Sequence, residues 1–227
     1  MTQTLNSRHF ASSSAGTPAG VPSSSRRLLA GAVAAGPLFL GAGIVQGLAR
    51  EGFGFTHNAI SQLALGDLGW IQTVNFVLAG VLLLAGAAGL RRVLRPEPGG
   101  TWGPALIAVF GASFLVAAVF RADPGGGFPV GSPAAGTLSA HGAGHMAGGG
   151  IGYLALSAAF VVLARPLAAR GYRGWARASR VAPVVVLTGF MASAASVLVF
   201  TLGAGLGLCW LAAVAVRLLT GPSSQGR

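Results

Sequence analysis

Two histidines four residues apart, His141 and His145, are the residues of this sequence best suited to chemistry. The chain has four histidines in all, and side chains at positions i and i+4 share one face of a helix. Imidazole is the commonest metal ligand, and a zinc ion takes three or four nitrogen, sulfur or oxygen ligands. The pair therefore predicts part of a zinc site, with two hydrated imidazoles at a membrane interface as the alternative.

The other groups of such a site would come from outside this helix. His57 would supply a third nitrogen, and Asp123 a carboxylate that orients or deprotonates a zinc-bound water. Ser61 lies one turn after His57 if a short helix begins at Thr56, and there it would support the oxyanion of a reacting carbonyl. Structural alternatives remain open, because Ser61 could satisfy the backbone and Asp123 could form a turn or pair with Arg121.

The composition places these residues in a membrane protein. The chain has 227 residues, of which 53% are hydrophobic and only 8% are charged, whereas a soluble domain has about 25% charged residues. The net charge of +11 comes from fifteen arginines and no lysine. They are spread between apolar runs, so they predict membrane topology and no nucleic-acid partner. The Lys-free bias is typical of a GC-rich bacterial genome, which predicts a bacterial cytoplasmic (inner) membrane.

Six apolar runs approach the roughly 20 residues that a membrane-spanning helix needs. Residues 1–27 have no hydrophobic period and predict a disordered tail, and residues 220–227 form a second tail. Open strand edges cannot be satisfied in hydrocarbon, so we expect an all-α, polytopic six-helix bundle as one domain over 28–219. A tight hairpin at Thr201-Leu202-Gly203 would join the last two spans. The six runs are 28–48, 70–90, 102–120, 139–163, 181–200 and 203–219.

The arginines also predict an orientation. With six spans, all arginines except Arg50 and Arg121 fall on one side of the membrane. Cytoplasmic loops are enriched in Lys and Arg, so both termini should be cytoplasmic. The outer side then holds loops at about 49–69 and 121–138, together with the start of the fourth span. All five candidate site residues lie in these outer segments.

Several short motifs resemble a known family. Ala59-Ile60-Ser61-Gln62-Leu63, Gly69-Trp70-Ile71-Gln72 and Asn75-Phe76 are similar to one signature of the six-span prokaryotic membrane family called "domain of unknown function 998". Phe120-Arg121-Ala122-Asp123-Pro124, followed by His141, resembles its second signature. The resemblance covers nearly the whole chain from residue 28 onward. It implies a six-span membrane fold and supplies no activity.

A looser likeness is to the seven-span hydrolases that include alkaline ceramidases and adiponectin-type receptors. Those proteins use a Ser and a His one turn apart, an Asp, and a His-x-x-x-His pair around zinc. The same residue types here are His57 with Ser61, Asp123, and His141 with His145. The chain departs from that pattern in its six spans, in a pair on the fourth span, and in the reversed order of Ser and His.

Two functions from different classes follow. The first is an outward-facing zinc-dependent hydrolase of a lipid or a lipid-linked amide or ester, with zinc on His57, His141 and His145. Asp123 and Ser61 would then be its catalytic groups. The second is a non-enzymatic membrane protein, either a small transporter or an accessory subunit, whose polar groups stabilise helix ends or line a pathway. Membrane lipids are the expected partners in both.

Overall fold

Six α-helices make up most of residues 21–221, which a computed structural model describes. Short 3-10 helices at Ile60–Ala64 and Ala192–Ala194 interrupt the loops, and residues 21–221 contain no β-strand. The all-α expectation is therefore confirmed. The helices are α1 (Ser23–Ala49), α2 (Gly69–Leu94), α3 (Trp102–Val119), α4 (Ala140–Ala169), α5 (Arg173–Met191) and α6 (Val197–Thr220).

The six helices form a closed ring. Each helix packs against its neighbours in sequence, and α6 packs back against α1. Small residues let these backbones approach closely: Gly86 of α2 lies against Ala32 of α1, and Gly189 of α5 against Gly203 of α6. Helices that face each other across the ring, such as α4 and α6, barely touch. The centre of the ring is therefore left to side chains and to a cavity.

Five of these six helices are long and apolar enough to cross a membrane, and the protein is a multi-pass membrane protein. The exception is α5, whose first half carries Arg173, Arg177 and Arg180. Its apolar part is short, but it occupies a full place in the ring between α4 and α6. The expected six-helix bundle is thus present, with one helix less apolar than the others.

The helix boundaries differ from the predicted spans at both ends of the chain. The break between α5 and α6 falls at 192–196, where the side chain of Ser196 caps α6, and not at the predicted 201–203. Gly203 lies inside α6 because it allows close packing against Gly189, so it does not mark a turn. At the other end, α1 begins at Ser23, within the predicted tail. Residues 1–20 and 222–227, to which the tail predictions also apply, lie outside the described residues.

An ion pair links two loops at the end of the bundle that carries most of the arginines. Arg170, at the end of α4, contacts Glu97 at 2.7 Å between Nη2 and Oε1, and Nη2 also donates to the carbonyl of Val93 at 3.0 Å. α1 and α2 are antiparallel, since Gly31 lies against Leu82 whereas Gly89 lies against Leu29. The side of the membrane on which this end lies stays a prediction.

Buried amides join α1 to α2 near the opposite end. Gln72 Oε1 accepts hydrogen bonds from Gln46 Nε2 at 2.8 Å and from Asn75 Nδ2 at 3.2 Å. Asn75 Nδ2 also donates to the carbonyl of Phe39 at 3.1 Å. The three amide side chains are almost fully buried. They hold two neighbouring helices together in a region where water cannot replace the bonds.

Candidate functional site

The two loops predicted to lie on the outer side, residues 50–68 and 120–139, fold onto each other over one end of the ring. Asn58 Nδ2 donates to the carbonyl of Gly125 at 2.9 Å, and Gln62 Nε2 donates to the carbonyl of Asp123 at 3.1 Å. The amide oxygens bind the first loop itself, since Asn58 Oδ1 accepts from Gly54 N–H at 2.9 Å. Gln62 Oε1 likewise accepts from the N–H of Ala59 at 3.0 Å. The oxygen of each amide thus accepts a hydrogen bond from its own loop, and the nitrogen donates one to the other loop.

Sequence reasoning missed these two amides as the residues that join the loops. The available signal was their spacing, because Asn58 and Gln62 are four residues apart, like the histidine pair. An amide carries both a donor and an acceptor group, which suits it to linking two backbones. Asn58 is fully buried, whereas its neighbour His57 is exposed.

Arg50 fastens the first loop from the end of α1. Its guanidinium donates to the carbonyl of Leu63 at 3.2 Å and to that of Leu65 at 2.8 Å. The same group lies over the ring of Phe128, 5.1 Å from its centroid, which adds a cation–π contact with the second loop. The guanidinium of Arg50 therefore satisfies carbonyl groups at the end of the 3-10 helix with hydrogen bonds.

Asp123 connects the second loop to the start of α4. Its Oδ2 accepts from Ser139 N–H at 2.9 Å, and its Oδ1 accepts from the Ser139 hydroxyl at 2.6 Å. Hydrogen bonds from the Ser139 hydroxyl and backbone stabilise the carboxylate and lower the pKa of Asp123. Asp123 therefore supports the N-cap of α4, and this differs from both structural roles expected for it, a turn residue or a partner of Arg121.

The histidine pair lies on the first two turns of α4, as expected. His145 Nδ1 lies 2.9 Å from the carbonyl of Phe120 at the end of α3. A carbonyl only accepts, so this nitrogen carries the proton and Nε2 is the remaining nitrogen of the ring. His141 is exposed, with its ring centroid 5.5 Å from that of Phe120. The two imidazoles thus flank Phe120 in different environments.

Beneath the two loops a cavity of about 500 Å³ opens into the centre of the ring. Ser61, Asp123 and His145 line its outer end, and Tyr153 and Leu208 lie deeper along its wall. The walls between are mostly apolar. A group of aromatic rings forms much of them, with centroids 5.0–6.3 Å apart in neighbouring pairs. Those rings belong to Phe39, Phe76, Phe110, Phe114, Tyr153, Phe190 and Phe200.

The glycines of α4 divide between packing and the cavity. Gly144 lies against the ring of Phe120, Gly148 against Val116, and Gly152 against Ser113, so this face lets α4 approach α3 closely. Gly149 also lines the cavity, and a Cβ there would meet nothing within 4 Å. The glycine-rich sequence therefore serves mainly helix packing and leaves one open position in the cavity wall.

A family model described as "Protein of unknown function (DUF998)" matches residues 33–217. The chain belongs to that family. No curated protein and no solved structure matches the chain, and the looser likeness to ceramidase-type hydrolases is not shown. In this member of the family, the Ala59–Leu63 motif forms the start of the loop junction, and Gln72 and Asn75 of the next motif form the buried amide link.

The predicted zinc ligands His57, His141 and His145 are not among any metal-ligating group found in the described residues. Residues 21–221 contain no group of three or more His, Cys, Asp or Glu side chains that could hold a metal ion. His57 is exposed, and its Nδ1 lies 2.8 Å from the hydroxyl of Thr56. A zinc site needs three or four ligands, and the pair His141 and His145 supplies two. Zinc binding stays a prediction of the sequence that this geometry does not support.

Of the five candidate residues, three share one cavity and two lie outside it. Ser61, Asp123 and His145 line the cavity, whereas His57 and His141 do not. No hydrogen bond within residues 21–221 joins the side chains of Ser61, Asp123 and His145 to one another. The arrangement thus provides a polar rim above an apolar interior, and it does not form a hydrogen-bonded catalytic relay.

Proposed function

We propose that this protein binds the alkyl chain of a membrane lipid inside the helix ring, with the lipid head at the outer loops. The observation that carries the proposal is the cavity, whose mouth is lined by Ser61, Asp123 and His145 and whose interior is lined mostly by aromatic and aliphatic side chains. Ligand pockets generally combine a mostly apolar lining with a few placed polar groups. The volume of this cavity lies within the usual range for such pockets.

The depth of the cavity matches one leaflet of a bilayer. It extends along α4 from Gly142 to Tyr153, and eleven steps of about 1.5 Å make this about 16 Å. The hydrocarbon core of a bilayer is about 30 Å thick, so one leaflet contributes about 15 Å. A chain from the adjacent leaflet could therefore lie in the cavity with its head level with the polar rim.

The wall between α4 and the α5–α6 connection offers a path from the bilayer. Met146 on α4 and Ala194 in the connection both line the cavity and are exposed at the surface. The arginine pattern supports a bacterial cytoplasmic membrane in which this end faces outward. Exchange of a chain with the outer leaflet through this side is thus part of the proposal.

Hydrolysis of a bound lipid is the second candidate function. The observation that favours it is that Ser61, Asp123 and His145 line the same cavity. A zinc-dependent reaction would also need His57, which bonds to Thr56 in an exposed loop. We therefore derive no catalytic step, and binding is the function that the geometry supports best.

Photolabelling in lipid nanodiscs tests the binding proposal. A lipid with a diazirine at the middle of its chain should label cavity residues such as Tyr153, Phe190 and Phe200. Gly149→Leu should reduce this labelling several-fold, because the side chain enters the open position in the wall. Gly41→Leu is the matched control, since a Cβ at Gly41 also meets nothing within 4 Å but does not line the cavity.

The labelling pattern can also refute the proposal. Labels confined to side chains on the outside of the ring, with the same yield in wild type and both variants, would show that no chain occupies the cavity. Equal folding of the three proteins is checked by their thermal unfolding in the same nanodiscs.

A further inference from the structure

We propose that the head of the bound lipid carries no negative charge and donates hydrogen bonds, as a hydroxyl or an ammonium group does. This inference rests on the proposed function and adds the chemical class of the ligand. It follows from the charges and the hydrogen-bonding capacity of the groups around the cavity mouth.

Among residues 21–221, the carboxylate of Asp123 is the only charged side chain that lines the cavity. Each of its two oxygens accepts one hydrogen bond from Ser139. A carboxylate has about four acceptor positions. Capacity for two more bonds remains. Because its pKa is lowered by the Ser139 bonds, Asp123 is negatively charged at neutral pH.

His145 contributes a second acceptor. Its Nδ1 carries the proton that bonds to the carbonyl of Phe120. In the neutral ring, Nε2 is then an acceptor without a hydrogen. The Ser61 hydroxyl can accept as well as donate, so most of the hydrogen-bonding capacity at the mouth suits a donor.

No arginine of the described part of the chain lines the cavity to balance an anionic head. Of the two arginines on this end, Arg50 is held by the carbonyls of Leu63 and Leu65 and by the ring of Phe128. Arg121 is exposed and does not line the cavity. A phosphate or carboxylate head would therefore lie beside Asp123 without a counter-charge, and like charges at close range repel.

Competition against the diazirine lipid tests the inference with amphiphiles that share one alkyl chain. A monoacylglycerol and a primary alkylamine should displace the label from the cavity residues. The fatty acid of the same chain should compete about tenfold more weakly at pH 8, where its carboxylate is charged. The methyl ester of the fatty acid has neither the charge nor a hydrogen-bond donor. It should therefore compete more strongly than the fatty acid and more weakly than the monoacylglycerol and the alkylamine.

The outcomes separate this inference from the proposed function. A fatty acid that competes as well as the monoacylglycerol would overturn the inference and leave lipid binding intact. Failure of all four amphiphiles to displace the label would instead overturn lipid binding, and the inference with it. Asp123→Asn removes the negative charge at the mouth. In this variant the fatty acid should therefore compete almost as strongly as its methyl ester.

Discussion

Asp123 and Ser139 close the second outer loop with two hydrogen bonds between its ends. The carboxylate accepts from the backbone N–H and from the hydroxyl of Ser139, at 2.9 and 2.6 Å. The Ser139 oxygen in turn accepts from the N–H of Gly142 at 3.0 Å, as the N-cap of α4. One chain of polar contacts therefore joins the loop, the cavity mouth and the first turn of the helix that carries the histidines.

The cap itself gives the first prediction. Ser139→Ala should lower the free energy of unfolding by about 1 kcal/mol, because it removes the acceptor for an N–H group at the start of α4. Thermal unfolding in detergent measures the effect. Ser132→Ala lies in the same loop, where its side chain makes no hydrogen bond within the described residues, and it should change little. An equal loss in both variants would contradict the role of the cap.

A second prediction concerns the pH dependence of the same contact. The pKa of Asp123 lies below its ordinary value of 3.8 in the folded protein. The stabilisation is therefore fully present above pH 3.8 and is lost as the pH falls through the lowered pKa. Wild type should be more stable than Asp123→Asn at neutral pH, and the difference should shrink as the solution is acidified below pH 3.8. A difference that grows in acid would contradict this sign.

The close approach of Gly142 to Asp123 gives a third prediction. A Cβ at Gly142 would overlap the carboxylate, so Gly142→Ala should displace Asp123 and destabilise the protein despite the better helix propensity of alanine. Gly41→Ala adds the same methyl group where nothing lies within 4 Å. It should be neutral or stabilising, by up to about 1 kcal/mol. Unfolding temperatures of the two variants, measured side by side, decide the point.

The buried amide link gives a fourth prediction. Gln72→Leu removes the oxygen that accepts from both Gln46 and Asn75, so it should cost about 1 kcal/mol. The adjacent Thr73→Val is the control, because the Thr73 hydroxyl bonds only to the carbonyl of Gly69 in its own helix. If both variants unfold at the same temperature as wild type, the link between α1 and α2 contributes nothing measurable.

Metal analysis of the purified protein is the fifth test. Two ligands, His141 and His145, are fewer than the three or four that a zinc site needs, so the arrangement of residues 21–221 should not retain zinc through purification. We therefore expect far less than one zinc ion per chain, with the same content in wild type and in His141→Ala. Stoichiometric zinc in wild type that is lost in the variant would restore the hydrolase hypothesis.

Much of the fold could be derived from the sequence because it depends on local quantities. The low charge content and the length of the apolar runs predict membrane helices wherever the chain folds. The same pattern placed His141 and His145 on the first turns of α4, where they lie. Glycines were ambiguous, since Gly203 predicts a turn by its type but packs against Gly189 inside a helix.

The site depended on contacts between segments far apart in the chain. Asn58 and Gly125 are 67 positions apart, and no periodicity indicates that their loops would meet. The sequence alone determined the membrane class, most of each helix and the position of the histidine pair on the first turns of α4. Only the tertiary structure decided that Asp123 binds Ser139, that His145 lines a cavity while His57 does not, and that the ring encloses this cavity. These features follow from how six helices pack around a common centre.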